Sequence, residues 1–234
     1  MRLIRNIVIV GTIFLTVTSS LACSISFTNF PTSNEFPPDT PIVLVTGFEP
    51  FSNYEINPSQ LIAEALDGQN IEGTEIIGIV LPVSFNESVE VVTQAIIDYN
   101  PLLVISVGLS PSTHKINVEK CGINLRQVPR NASICFPFRR LEPCGPFIRL
   151  SPLRTKEIVL NIREAGIPSR QSFFAGLYVC NGVFYGTLGC IEEYGIPTKA
   201  GFIHVPLLSS QDPDGMDLEK MIEAVKVAIK TSLS

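Results

Sequence analysis

Histidine is scarce in this chain: His114 and His204 are the only two among 234 residues. The six cysteines include no Cys-x-x-Cys pair and no cysteine–histidine cluster, so no zinc site is expected. Charge is sparse as well, at 17% of residues with a net charge of −5, which argues against nucleic acid or an anionic membrane surface as a partner. The sequence shows no internal repeat and no second domain. With 45% hydrophobic residues it is a globular chain and not a disordered one.

The first segment differs from the rest. Arg2 and Arg5 precede an apolar run from Ile7 to Thr18, and Ser20-Leu21-Ala22-Cys23 follows. A basic start, a short apolar core and small residues form the pattern of a secretory leader. The expected organisation is a leader over residues 1–22, a Ser/Thr/Asn/Pro linker over 23–40 and one domain over 41–234. The same residues also fit an uncleaved anchor, or lipid attachment at Cys23. The chain is therefore expected to be exported or membrane-anchored through this leader, with a cytoplasmic location as the alternative. In an oxidising compartment Cys135 and Cys144 are expected to close a small disulfide loop.

From Pro41 onward, apolar runs alternate with amphipathic stretches. Pro41–Thr46, Ile76–Val83 and Pro101–Gly108 read as buried strands, and Ser59–Leu66 and Asn86–Tyr99 as helices. The loop after the first strand has no phosphate-cradling glycine spacing. Ile116–Leu125 reads as a strand from a hairpin, residues 126–151 as a long excursion, and Arg154–Ala165 and Asp217–Thr231 as helices. The alternation predicts a three-layer α/β/α sandwich around a mostly parallel, mixed sheet.

One stretch concentrates the chemistry. Ser172–Ala175 is predicted as a short strand, Gly176 as a turn, and the residues after Cys180 as a helix. A cysteine at a helix N-terminus meets unsatisfied N–H groups and the positive end of the dipole, which favour a thiolate. Those N–H groups can also hold an oxyanion. The plain alternative is a core cysteine. His204, at the end of the strand Gly201–Pro206, is the candidate base; it reads equally as a structural histidine. His114 lies in a polar loop and reads as a surface residue. Glu119, flanked by Ile116, Val118 and Ile123, is the candidate to orient the imidazole; beside Lys120 it also fits an exposed strand glutamate. Sites in parallel sheets gather at the carboxyl ends of strands, where Gly47–Phe51, Leu109, Cys180 and His204 all fall.

Four segments resemble the pyroglutamyl peptidase I family of cysteine peptidases. They are Val43–Phe51 with Ile56-Asn-Pro-Ser59, Ile116-Asn-Val-Glu-Lys-Cys-Gly-Ile-Asn124, Ala175-Gly-Leu-Tyr-Val-Cys-Asn-Gly-Val-Phe-Tyr185 and Gly201-Phe-Ile-His-Val-Pro206. The resemblance spans about Ile42 to Ile229. It implies a Cys180–His204–Glu119 triad, no metal or organic cofactor, and pyroglutamyl peptides as substrates. Phe48, Phe51, Asn57 and Tyr178 are implied in binding the lactam ring, although core packing is what such aromatics do by default. A homotetramer is a further implication. The chain departs from the family pattern at Leu109, where a glutamine is usual, in the shortened Arg126–Asn131 segment, in the loop carrying Cys135 and Cys144, and in its leader.

Overall fold

A computed structural model describes residues 40–128 and 137–234. In chain order the elements are β1 (Ile42–Phe48), α1 (Pro58–Leu66), β2 (Asn70–Ile71), β3 (Thr74–Leu81), α2 (Glu87–Tyr99), β4 (Leu103–Leu109), β5 (Ile116–Glu119) and β6 (Cys121–Ile123). There follow β7 (Arg126–Gln127), β8 (Phe138–Arg139), β9 (Ile148–Leu150), α3 (Thr155–Glu164), β10 (Ser169–Ser172), α4 (Val179–Tyr194), β11 (Lys199–Val205) and α5 (Leu218–Leu233). The expected leader and most of the linker lie outside the described residues, as do Cys135 and with it the expected Cys135–Cys144 pairing.

Seven strands form one sheet in the order β10-β5-β11-β4-β1-β3-β2. Strands β11, β4, β1 and β3 run parallel; β5 and β10 are parallel to each other, and β5 meets β11 antiparallel. The sheet is thus mixed and mostly parallel, as the alternation of strands and helices predicted.

Successive side chains of a strand point to opposite faces, and this divides the core in two. Val43, Val45, Ile105, Val107, Ile203 and Val205 pack with α1, α3 and α5. Leu44, Val104, Ala200 and Phe202 pack with α2 and α4. The first face is apolar along the strands. On the second, the same alternation puts Thr46, Ser106, Asn117, Glu119 and His204 on the α4 side, all of them buried. The polar residues of this sandwich are concentrated where a site can form.

Two expected strands are corrected. Ile116–Leu125 is not one strand of a hairpin. It breaks at Lys120, whose Nζ donates to the carbonyls of Ser151 and Leu153. The residues before the break join the main sheet, while Cys121–Ile123 pairs with β9. The strand expected at Ser172–Ala175 lies three residues earlier. Ser169–Ser172 carries the pairing with β5, and Phe173 and Phe174 are exposed loop residues. Their aromatic character imitates a buried strand, but the Ser169 hydroxyl, bonded to the Val159 carbonyl, anchors the real one.

Candidate active site

The loop after β1 is built by a short relay of hydrogen bonds. The Asn57 carboxamide oxygen accepts from the Ser59 amide and hydroxyl, capping α1, and the Ser59 hydroxyl accepts from the Phe48 amide. The Asn57 nitrogen donates to the Glu49 carbonyl at 3.0 Å. This explains the Ile-Asn-Pro-Ser59 segment: asparagine caps, proline starts the helix, and serine ties the helix to the strand. Phe48 and Phe51 are thereby fixed at one wall of a cavity of about 710 Å³. Asn57 lines it too, with its carboxamide committed to the loop. Leu109 and the 64% exposed Tyr178 complete the apolar side.

Cys180 lies in the first turn of α4, on the floor of this cavity. Gly176, at φ +80°, makes the turn into the helix. No side chain caps the helix start and no acidic residue occupies its first turn. Its N–H groups and dipole are left for an anion. Asn181 fastens this elbow: it accepts from the Ile123 amide and donates to the carbonyls of Ile123 and Leu125. The helix start is thus tied to the segment just beyond Glu119.

Beneath Cys180 lies Gly108 of β4. A Cβ there would stand 2.8 Å from the Cys180 sulfur and 2.9 Å from the Phe202 ring. Only a glycine leaves room for the thiol at this height.

His204 and Glu119 meet across the antiparallel β11–β5 pair. The Nδ1 of His204 lies 2.9 Å from Oε1 of Glu119, and both side chains are buried. Cys180 lines the same cavity as His204 and Glu119. Burial opposes a charge on the ring, but the bonds to Cys180 and Glu119 outweigh it and raise the His204 pKa from 6.5 to about 9. Oε2 of Glu119 is buried with no hydrogen-bond partner among the described residues. Lys120 turns away to the carbonyls of Ser151 and Leu153, so it does not neutralise Glu119. The arrangement can take a proton from a thiol, hold it on an imidazole backed by a carboxylate, and deliver it to a leaving group.

The other histidine stands apart: His114 is exposed, with Nδ1 3.3 Å from the Asp214 carbonyl. Arg126 lies over the Phe85 ring and lines a separate cavity beside α4, not the one holding Cys180. Sequence reasoning missed Asn117, Arg170 and Ser172, which also line the Cys180 cavity. Asn117 was legible, being two residues before Glu119 and so on the same face of a strand. Arg170 and Ser172 enter through the β10–β5 register, which local sequence does not announce.

Comparison with known proteins places the chain in a family. The family model for pyroglutamyl peptidase matches residues 42–234. The chain belongs to the pyroglutamyl peptidase family. It is 38% identical over 202 residues to the pyrrolidone-carboxylate peptidase of Pyrococcus furiosus, covering 82% of this chain and 97% of that one. The pyrrolidone-carboxylate peptidase 1 of Ralstonia nicotianae is 36% identical over 200 residues, covering 82% and 93%. The pyrrolidone carboxyl peptidase structure from Thermococcus litoralis superposes with a TM-score of 0.77 at 33% identity, covering 83% of this chain and 94% of that chain. This is a family of cysteine peptidases.

Two predictions follow from the site. Gly108→Ala should displace the thiol and slow alkylation of Cys180 by about tenfold or more, at a stability cost of about 1–3 kcal/mol from overpacking. Peptide mapping after timed iodoacetamide treatment measures the first, urea unfolding the second. The second prediction concerns pH. Because the folded His204 pKa is raised, its contribution to stability is complete below pH 6.5 and disappears as pH rises through about 9. The stability difference between wild type and His204→Gln should shrink over that window in urea midpoints. A constant difference would contradict the raised value.

Proposed function

We propose that this protein is a cysteine-type omega-peptidase that removes N-terminal pyroglutamyl residues from peptides. The observation that supports the reading is the buried His204–Glu119 hydrogen bond in the apolar cavity that Cys180 also lines, at the positive end of α4.

In the proposed reaction His204 holds the Cys180 proton and the thiolate attacks the pyroglutamyl carbonyl. The N–H groups at the start of α4 stabilise the oxyanion. His204 then gives its proton to the departing amine, leaving a thioester. Water, deprotonated by the same imidazole, releases pyroglutamate. Glu119 fixes the tautomer and supports the positive ring without taking a proton itself. The uncharged lactam suits walls of Phe48, Phe51, Tyr178 and Leu109, while Asn57 keeps the Phe48–Phe51 loop in position.

Hydrolysis of a fluorogenic pyroglutamyl amide beside its prolyl analogue tests the activity. The pyroglutamyl compound should be cleaved and the prolyl one spared. Cys180→Ala and His204→Ala should each lower kcat/KM by about 10³-fold or more. Glu119→Gln should retain partial activity. Full activity in Cys180→Ala would overturn the mechanism. A folded enzyme inert toward pyroglutamyl amides would favour a different small acyl group or a silent binding role, with Leu109 as the first suspect.

The leader pattern of residues 1–22 supports export or membrane attachment. Among the described residues no helix is long and apolar enough to cross a membrane. Mass measurement of the mature chain should show cleavage near Ala22; Cys144 stands as a free, exposed cysteine in the structure, against the expected disulfide. A full-length chain in the cytoplasm would overturn export.

A further inference from the structure

The Cys180 cavity carries an arginine that the reaction above does not use. Arg170 lies on β10 in register with Asn117 of β5, and Asn117 is in register with His204 of β11, itself opposite Gly108 of β4. Paired residues on neighbouring strands share a face, so Arg170, Asn117, His204 and Gly108 form one row across four strands. Arg170 ends that row at the exposed rim of the cavity. Its Nε donates to the Asn117 oxygen at 2.8 Å, which leaves the terminal nitrogens free to meet a ligand. Arg170 forms no ion pair among the described residues. The other charged groups lining the cavity, Glu119 and His204, are engaged with each other.

The row also has a direction. The Cys180 sulfur sits above β4, with Phe48 on β1 to one side and His204 on β11 to the other. His204 must reach the departing amine, so the leaving peptide runs from the thiol toward β11, β5 and β10. The lactam then lies on the Phe48 side. Arg170 stands two strand spacings beyond His204, about 10 Å. An extended peptide covers about 3.3 Å per residue, which brings the first two or three leaving residues within reach of the guanidinium. The lactam is uncharged and on the opposite side, so it is not the group that Arg170 meets.

We propose that Arg170 selects peptides that carry a carboxylate side chain just after the pyroglutamyl residue. This rests on the peptidase reading and adds its specificity on the leaving side. A guanidinium anchored through Nε presents its remaining N–H groups to a carboxylate as a fork. At an exposed rim such a contact yields discrimination of about five- to tenfold, weakened by salt.

The test compares pyroglutamyl-Glu-Ala amide with the isosteric pyroglutamyl-Gln-Ala amide, using the full chain. Wild type should favour the glutamyl peptide by about five- to tenfold in kcat/KM at low ionic strength. The ratio should fall to about one in Arg170→Gln, survive in part in Arg170→Lys, and shrink with added salt. A ratio is insensitive to a general loss of folding, so a merely structural arginine would not move it. Equal rates on the two peptides in wild type, with the fluorogenic pyroglutamyl amide still cleaved, overturn this proposal and leave the peptidase reading standing. Failure of folded wild type on all three substrates overturns that reading and this one with it. A ratio unchanged in Arg170→Gln assigns the preference elsewhere and also overturns the proposal.

Discussion

The buried bond between His204 and Glu119 is the constraint on which the rest of this structure depends. A carboxylate that is 1% exposed is expensive unless a donor or a positive charge stands against it. Here one oxygen has the imidazole at 2.9 Å and the other has no hydrogen-bond partner among the described residues. The neighbouring lysine is directed elsewhere, so the imidazole must supply nearly all the compensation. Glu119 and His204 therefore hold each other in opposite states: the carboxylate favours a protonated ring, and the ring makes a buried carboxylate tolerable.

The sheet makes this pairing available through one change of direction. Four strands run parallel through the centre, and β5 then enters antiparallel beside β11. An all-parallel connection would bring the two strand ends together differently. Reversing β5 places Glu119, near its carboxyl end, opposite Phe202, so that it meets His204 diagonally, two residues further along β11. The α1, α3 and α5 face remains apolar and carries the packing. The opposite face concentrates its polar residues under α4, so the same strands serve stability on one side and chemistry on the other.

Much of this was legible in the sequence. Alternating apolar runs and amphipathic stretches marked the central strands and helices, because buried parallel strands and one-faced helices have distinct periods. Cys180 was legible through the glycine turn and the helix behind it. His204 and Glu119 carried weaker local signals, which became specific only when all four motifs were taken together. The failures have physical causes. Phe173 and Phe174 have strand-like composition yet lie exposed in a loop, while the true strand Ser169–Ser172 is polar because it lies at the sheet edge. Gly108 reads as the end of a strand, and only the positions of the Cys180 sulfur and the Phe202 ring explain its missing side chain. Arg170 owes its place to a register between segments 53 residues apart.

Helix α4 shows how stability was traded for access. Its start has no capping side chain, which forgoes about 1 kcal/mol. Within it stand Gly182, Gly186 and Gly189, each disfavouring a helix by about 1 kcal/mol relative to alanine. These glycines open one side of the helix: a Cβ at 186 would press on Val89, and one at 189 on the Arg149 guanidinium. Close approach of α2 and Arg149 offsets part of the propensity cost, and the three Asn181 bonds hold the first turn where a cap would have held it. A side-chain cap in its usual place would have filled the N–H groups at the helix start. Asn181 secures the helix from the flank instead, so rigidity is kept while the N–H groups at the positive end beside Cys180 stay uncapped.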